Sequence, residues 1–175
     1  MNGHGKKRIH VSGQTYEGQW QNGLRHGKGT WIAARGDMYE GDWREGKKHV
    51  TGKYYDPSGN MYEGEWRDNK MHGNGTLYYA NGAMYKGQYA DDKKHGNGTF
   101  YFPDGSIYQG KFREDKMHGT GTFTYGQDGS PGDVYHGPWV NHGMRGIGQW
   151  THAKDSTTER IQCRDGEVIS WPDRT

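Results

Sequence analysis

The chain has 175 residues, a formal net charge of +2 and 14% aromatic residues. Acidic and basic residues are interspersed, unlike the one-signed surface of a dedicated nucleic-acid-binding protein, which argues against a nucleic-acid partner. Cys163 is the only cysteine, which excludes an intramolecular disulfide framework and a cysteine-rich zinc site. Because we find no long apolar run and no signal-peptide or acylation pattern at the amino terminus, we expect a cytoplasmic protein.

A repeat with a period of 23 residues dominates the sequence. Each unit has a leading tyrosine, a glycine two residues on, usually a second aromatic residue four residues on, a polar loop, H-G-x-G and a second aromatic segment. Six units begin at Tyr16, Tyr39, Tyr62, Tyr85, Tyr108 and, after a four-residue insertion, Tyr135. Tryptophan takes the second aromatic position at Trp20, Trp43, Trp66 and Trp139. A fixed period of this length predicts a repeat architecture over residues 16–150.

Each repeat has the pattern of one β-hairpin. Residues at relative positions 0, 2 and 4 share one face of an extended strand, whereas a helix would scatter them. The second half of the repeat is rich in β-formers, as in Thr99-Phe100-Tyr101-Phe102, and turn residues such as Pro103-Asp104-Gly105 follow it. The sequence therefore predicts an all-β fold: a single-layer, elongated, twisted antiparallel sheet of consecutive β-hairpins with about twelve strands.

The glycines recur at fixed repeat positions, which indicates that aromatic rings lie against bare backbone. With a loop of about six residues, the hairpin register would place Trp66 opposite Gly75 and Gly64 opposite Leu77. Each large side chain would then cover a glycine across the strand pair.

The two ends of the chain depart from the repeat. Residues 1–15 contain a partial N-terminal repeat, visible in Gly3-His4-Gly5. Residues 151–175 are predicted to form a capping segment, with a hairpin at Asp165-Gly166 that brings Arg164 opposite Glu167. An unprotected sheet end would instead pair with a second copy, giving a homodimer, or with another protein.

Several residue patterns resemble catalytic or metal sites but lack the setting that such chemistry needs. Histidines recur at one loop position, but equivalent atoms in successive units lie about 9.6 Å apart, too far to share a metal ion. We expect these histidines to close their loops by hydrogen bonds to the backbone. No helix follows the G-x-G segments, and the loop carboxylates have no apolar pocket. The sequence therefore predicts no enzyme activity, no catalytic residues, no metal and no cofactor.

A second row of residues should lie on the face opposite the leading tyrosines. It contains the residues before those tyrosines, Met38, Met61 and Met84, with Tyr55, Tyr78 and Tyr101 nearby. Since a one-layer sheet cannot bury both of its faces, this row is a candidate groove for a partner's helix or extended segment. The alternative is that these side chains only stiffen an exposed surface.

Lysines also recur at one position of the hairpin loops: Lys47, Lys70, Lys93 and Lys116. This row suggests a surface for anionic lipids such as phosphoinositides. Neighbouring acids offset most of the charge at one end of the row, so we expect only weak lipid binding.

The repeat, best seen in Tyr62-Glu63-Gly64-Glu65-Trp66 with His72-Gly73-Asn74-Gly75, resembles the MORN (membrane occupation and recognition nexus) repeat family. The resemblance implies a non-enzymatic scaffold that presents a β-surface to protein partners, in a cytoskeletal or ciliary (axonemal, flagellar) complex. The alternative that it implies is a peripheral phosphoinositide-binding or membrane-surface module. Departures from the family pattern are Val50 in place of the loop glycine, Arg145 in place of the sixth histidine, and the insertion near 127–132.

Overall fold

The computed structural model describes residues 6–127 and 130–170. These residues contain sixteen β-strands and no helix, so the predicted all-β fold of consecutive antiparallel hairpins is confirmed. The number of strands exceeds about twelve because one strand precedes the first repeat, the second strand of the sixth unit is split, and the final hairpin adds two. The partial repeat at Gly3-His4-Gly5 and residues 171–175 of the capping segment lie outside the described residues.

The chain divides into two compact units, and the first comprises the residues up to Ala80 together with Tyr89–Asp92. Its strands follow one another in chain order, each hydrogen-bonded to the next. They are β1 (Lys6–Val11), β2 (Gln14–Gln21), β3 (Leu24–Ile32), β4 (Met38–Arg44), β5 (Lys47–Tyr55), β6 (Met61–Arg67) and β7 (Lys70–Tyr78).

The second unit comprises Asn81–Gln88 and the chain from Lys93 onward. Its strands also pair in chain order, except that β12 pairs with both the short β13 and β14. They are β8 (Met84–Ala90, of which the last two residues are grouped with the first unit), β9 (Lys93–Tyr101), β10 (Ile107–Arg113), β11 (Lys116–Thr124), β12 (Val134–Val140), β13 (Gly143–Met144), β14 (Gly146–Thr151), β15 (Thr158–Arg164) and β16 (Glu167–Ser170).

The register within a hairpin differs from the sequence-based expectation. In β6 and β7, Gly64 lies opposite Gly75 and Trp66 lies opposite Met71, so the predicted pairs Trp66 with Gly75 and Gly64 with Leu77 are wrong. The reason is a tight two-residue turn at Asp68–Asn69, whose residues both have positive φ (51° and 72°), followed by a bulge in β7. The expected pairs assumed a loop of about six residues, which would place Gly64 opposite Leu77 instead of Gly75.

The register brings glycine opposite glycine, and the leading tyrosine of the same repeat lies over the pair. A Cβ atom on Gly75 would lie 2.4 Å from the hydroxyl oxygen of Tyr62, and one on Gly64 would lie 2.5 Å from the Cα of Gly75. Only glycine leaves room for the ring, and Tyr62 is 1% exposed as a result. The prediction that an aromatic ring covers backbone glycines is therefore confirmed, but the ring belongs to tyrosine rather than tryptophan.

The leading tyrosines and the second aromatic residues form an edge-to-face ladder on this face of each unit. In the first unit the ring centroids of Tyr39 lie 5.1 Å from Trp43 and 5.3 Å from Trp66. In the second unit Tyr135 lies 5.4 Å from Trp139. The ladder also includes Tyr16, Trp20, Tyr62 and Tyr89 in the first unit and Tyr85, Tyr108 and Phe112 in the second.

Hydrogen bonds anchor the polar atoms of this ladder. The Tyr62 hydroxyl donates to the carbonyl oxygen of Glu65 in its own repeat at 3.0 Å. The Trp66 indole donates to the carbonyl oxygen of Gly52 in the preceding repeat at 3.1 Å. The other five leading tyrosines make the same bond three residues ahead, and Trp43 and Trp139 bond to Gly29 and Gly121. These aromatic positions therefore hold the fold together.

The final hairpin forms as expected, with Arg164 paired to Glu167 across a turn at Asp165 and Gly166. Ile161 and Cys163 of β15 are buried, and the Cys163 thiol is not part of a disulfide. The role of this hairpin as a cap stays a prediction.

Candidate interaction surface

The face opposite the aromatic ladder carries the predicted second row. In the first unit the register aligns Ile32 with Met38, Met38 with Tyr55, Tyr55 with Met61, and Met61 with Tyr78. We call these five residues the methionine–tyrosine row. Tyr78 and Ile32 are each 41% exposed, and the other three side chains are half-buried. The row is thus a strip of apolar and aromatic surface that meets solvent.

In the second unit the corresponding face begins in the same way and then changes. Met84 precedes the buried Tyr85 and therefore points to the opposite face of the sheet. Tyr101, which is 36% exposed, pairs with Ile107 on the next strand. The positions that follow are Thr124, Val134 and Thr151. The structure therefore brings the predicted residues of the first unit together as expected. The role of the predicted residues of both units as a binding site stays a prediction.

A groove lies on the same face of the first unit. It has a volume of about 1020 Å³, and Ile32 and Tyr55 from the row form part of one side. Its floor is the bare backbone of glycines in five successive strands: Gly18, Gly29, Gly41, Gly52 and Gly64. The aromatic ladder covers the other side of these glycines, so the groove is a direct result of the glycine pairs.

The walls of the groove are charged. The lining residues include four carboxylates (Glu17, Glu40, Glu63 and Glu65) and two ammonium groups (Lys28 and Lys53). Lys53 contacts Glu63 at 3.3 Å, and this hydrogen bond raises the pKa of Lys53. Lys28 contacts a further carboxylate on this face, Asp42, at 2.8 Å. The four lining carboxylates against two lysines leave the groove with an excess of negative charge.

Three of the four lysines in the predicted hairpin-tip row have carboxylate partners. In the first unit Lys47 lies 3.2 Å from Asp68, and Lys70 lies 3.6 Å from Asp91. In the second unit Lys93 pairs with Glu114. Each of these ammonium groups is thus matched by a carboxylate of the next hairpin, which reduces its attraction for an anionic surface.

The recurrent histidines do not cluster. Among the described residues no group of three or more His, Cys, Asp or Glu side chains is arranged to hold a metal ion. His49 accepts a hydrogen bond from the amide of the next residue, Val50, at 2.9 Å, so it bonds to the backbone as expected but does not bridge its loop. The buried Nδ1 atom of His72 has no hydrogen-bond partner, so the expectation of a backbone bond is wrong for that atom.

A cluster that the sequence did not reveal surrounds Lys48. Its ammonium nitrogen lies 4.3 Å from the ring centroid of Tyr54, 4.9 Å from Trp66, 5.0 Å from Tyr39 and 5.4 Å from Trp31. Burial lowers the pKa of Lys48 to about 8. Little in the sequence indicates this cluster, because the position of Lys48 is not always basic: the next repeat has Met71 there.

Val50 departs from the repeat in conformation as well as in sequence. Its φ is 57°, in the left-handed region where the other repeats place glycine, such as Gly73 at 59°. A Cβ atom on Gly73 would meet the Glu65 carboxylate at 2.4 Å, whereas the second repeat has the shorter Asp42 at the position of Glu65. The shorter acid leaves space for the valine side chain, which is 59% exposed.

Consecutive hairpins with an aromatic ladder on one face and an open row on the other define a β-hairpin repeat protein. The MORN repeat family model matches five consecutive segments, which together cover more than half of the chain: residues 16–38, 39–61, 62–84, 85–107 and 108–130. The chain therefore belongs to the MORN repeat family, as the sequence indicated. Membership of this family indicates a protein-interaction module.

Solved structures that match this chain share little of its sequence. The TCP domain of Drosophila melanogaster SAS-4, in complex with a proline-rich motif of Ana2, is 14% identical, with a TM-score of 0.51 over 89% of this chain and 88% of that one. A TCP10c domain of the same protein is 16% identical (TM-score 0.43, 91% and 99% covered). The TCP10 domain of Danio rerio CPAP with a STIL peptide is 10% identical (TM-score 0.37, 95% and 98% covered). No curated protein matches the chain.

The part of the chain that the structure describes has no helix with the length and apolar character to span a membrane.

Proposed function

We propose that this protein is a non-enzymatic scaffold that binds partner proteins through the open face of its sheet. The observation that supports this most directly is the difference between the two faces. The six leading tyrosines are buried and hydrogen-bonded, whereas Ile32, Tyr78 and Tyr101 on the other face remain exposed. Tyrosine, methionine and exposed aliphatic side chains are common at protein interfaces.

The partner class that we propose is a segment of a cytoskeletal complex, in a cilium or flagellum. The family resemblance supports this placement, and the SAS-4 domain of similar fold holds a proline-rich motif of another protein. A segment lying on the methionine–tyrosine row would contact the first-unit groove at Tyr55. The protein would be cytoplasmic and would use no cofactor.

The phosphoinositide alternative is weaker. Exposed ion pairs at the hairpin tips, such as Lys47 with Asp68, already compensate the lysines that a lipid surface would have to attract. A homodimer would form at a sheet end, because β1 and β16 each have a single neighbouring strand among the described residues.

Co-sedimentation tests this proposal. We would compare the wild type, a Tyr78→Ser/Tyr101→Ser variant and a Lys47→Glu/Lys70→Glu variant, both with a detergent-insoluble cytoskeletal fraction and with phosphoinositide liposomes. Because Tyr78 and Tyr101 are exposed, their replacement should leave the fold intact. We expect retention on the cytoskeletal fraction to be lost in the tyrosine variant only. Liposome binding that ignores the tyrosines and falls in the lysine variant and at high salt would refute the scaffold proposal.

A further inference from the structure

We propose that the groove of the first unit binds an extended basic segment in which lysine or arginine recurs at every third residue. This inference rests on the proposed scaffold function and specifies the partner's chemistry. The groove is defined by its lining glutamates, by its glycine floor and by Ile32 and Tyr55 on one side.

The charge of the groove favours a cationic partner. The residue after the leading tyrosine is Glu17, Glu40 and Glu63 in the three repeats of the first unit. The same position is Lys86, Gln109 and His136 in the later repeats, so the repeat fold does not require an acid there. All three glutamates are exposed and line the groove. Lys53 lies opposite both Glu40 and Glu63, so one lysine faces two of the three carboxylates and the row keeps an acidic excess that a cationic partner can use.

The spacing of these glutamates sets the spacing of the partner's charges. Glu17, Glu40 and Glu63 lie on β2, β4 and β6, with one strand between each successive pair, and the register places them in the same row across the sheet. Two strand spacings amount to about 9.6 Å. Three residues of a polyproline II helix span about 9.3 Å, and its threefold symmetry brings every third side chain to the same side.

Other backbone conformations fit less well. In a β-strand, side chains on one face recur at about 6.7 Å, so neither two nor four residues match the spacing of the glutamates. An α-helix advances about 10.5 Å in seven residues, which is close, but a helix usually docks through an apolar face into a hydrophobic groove. This groove has charged walls and a backbone floor. The aromatic ring of Tyr55 at its side is the kind of surface on which polyproline II segments pack.

Lys53 allows the proposal to be tested by a substitution that should strengthen binding as well as by one that should weaken it. It lies between Glu40 and Glu63 in the row and pairs with Glu63 at 3.3 Å. A cationic ligand must share these carboxylates with Lys53. Removal of its charge should therefore strengthen binding, whereas removal of a glutamate charge should weaken it.

The experiment measures binding of two fluorescent peptides of equal composition by anisotropy. One is (Lys-Pro-Pro)₃, and the other has its three lysines adjacent at one end. We expect the wild type to bind the spaced peptide more tightly. Glu40→Gln should weaken this binding about two- to fivefold and Lys53→Gln should strengthen it by a similar factor, with the effects reduced at high salt. Glu167→Gln, on the exposed β16, removes the same charge outside the groove and should change nothing.

The outcomes separate the two proposals. Equal affinity for both peptides, or equal effects of Glu40→Gln and Glu167→Gln, would overturn the recognition of spaced charges. Absence of peptide binding, with cytoskeletal retention still dependent on Tyr78, would overturn this inference and leave the scaffold proposal standing. A concentration-dependent dimer that Glu40→Gln dissociates would show that a second copy occupies the groove, and this would also overturn it.

Discussion

Replacement of Val50 by glycine should stabilise the protein. A β-branched residue held at φ 57° costs roughly 2–3 kcal/mol relative to glycine. Glycine loses about 0.7 kcal/mol through the greater entropy of the unfolded chain. Because the valine is 59% exposed, its removal forfeits only about 0.6 kcal/mol of burial. The net expectation is a gain of about 1 kcal/mol in the free energy of unfolding.

Urea unfolding followed by tryptophan fluorescence measures this change. The midpoint should rise in Val50→Gly without a change in the denaturant slope, since little surface is altered. The matched variant is Gly73→Val, at the same position of the next repeat. There the new side chain would also meet the Glu65 carboxylate, at 2.4 Å, so we expect a loss of about 3 kcal/mol.

Asp42 supplies an internal test of the same reasoning. If its short side chain is what accommodates Val50, then Asp42→Glu should cost more stability in the wild type than in the Val50→Gly background, since its bonds to Lys28 and Thr51 are altered in both. A Val50→Gly protein that is less stable than the wild type would refute the argument from backbone strain. An equal cost of Asp42→Glu in both backgrounds would refute the argument from space.

Three further outcomes can be measured on purified protein. Gly75→Ala should cost about 3 kcal/mol of stability, because the new methyl group would collide with the covering ring of Tyr62. Gly82→Ala, where nothing lies within 4 Å, should cost about 1 kcal/mol from backbone strain alone. Similar losses in the two variants would contradict the packing argument. Relative to Lys48→Met, the wild type should gain stability from pH 8 to 10, because burial lowers the pKa of Lys48 to about 8 and the unfolded chain then binds more protons; no gain would count against the aromatic enclosure. From pH 10 to 12 stability should fall, because burial raises the pKa of Tyr16 and Tyr108 to about 12 and the unfolded chain ionises first. An absorbance change at pH 10 that corresponds to all thirteen tyrosines of the folded protein would contradict this.

The periodicity was sufficient to predict the fold class. Tyr62, Gly64 and Trp66 at alternate positions could share a face only in a strand, and the 23-residue period set the repeat. The same alternation placed Met61 on the face opposite Tyr62, but the pairing of Met61 with Tyr78 came only from the structure. These features depend on local backbone geometry, which short sequence patterns determine well.

The register and the Lys48 cluster were not predictable in the same way. The two-residue turn at Asp68–Asn69 and the bulge after it together determine which residues face each other. The sequence shows only the number of residues between the two strands, not how they divide between turn and bulge. The rings around Lys48 come from four different strands, β3 to β6. Their convergence depends on rotamers in three dimensions. The pairing of Lys47 with Asp68 likewise joins residues 21 positions apart.

The aromatic ladder has one hydrogen bond within each repeat and one to the preceding repeat, and this arrangement affects how such a chain can change length in evolution. The Tyr62 hydroxyl bonds within its own repeat, and the Trp66 indole bonds back to the preceding one. A duplicated repeat would bring both its internal closure and its attachment to its neighbour, so whole repeats can be added or lost. Single residues inserted in a strand would turn its side chains to the wrong face, whereas the four extra residues before Tyr135 precede β12 and leave that tyrosine buried. Length variation among descendants of this sequence should therefore occur as whole 23-residue units or within the turns between hairpins.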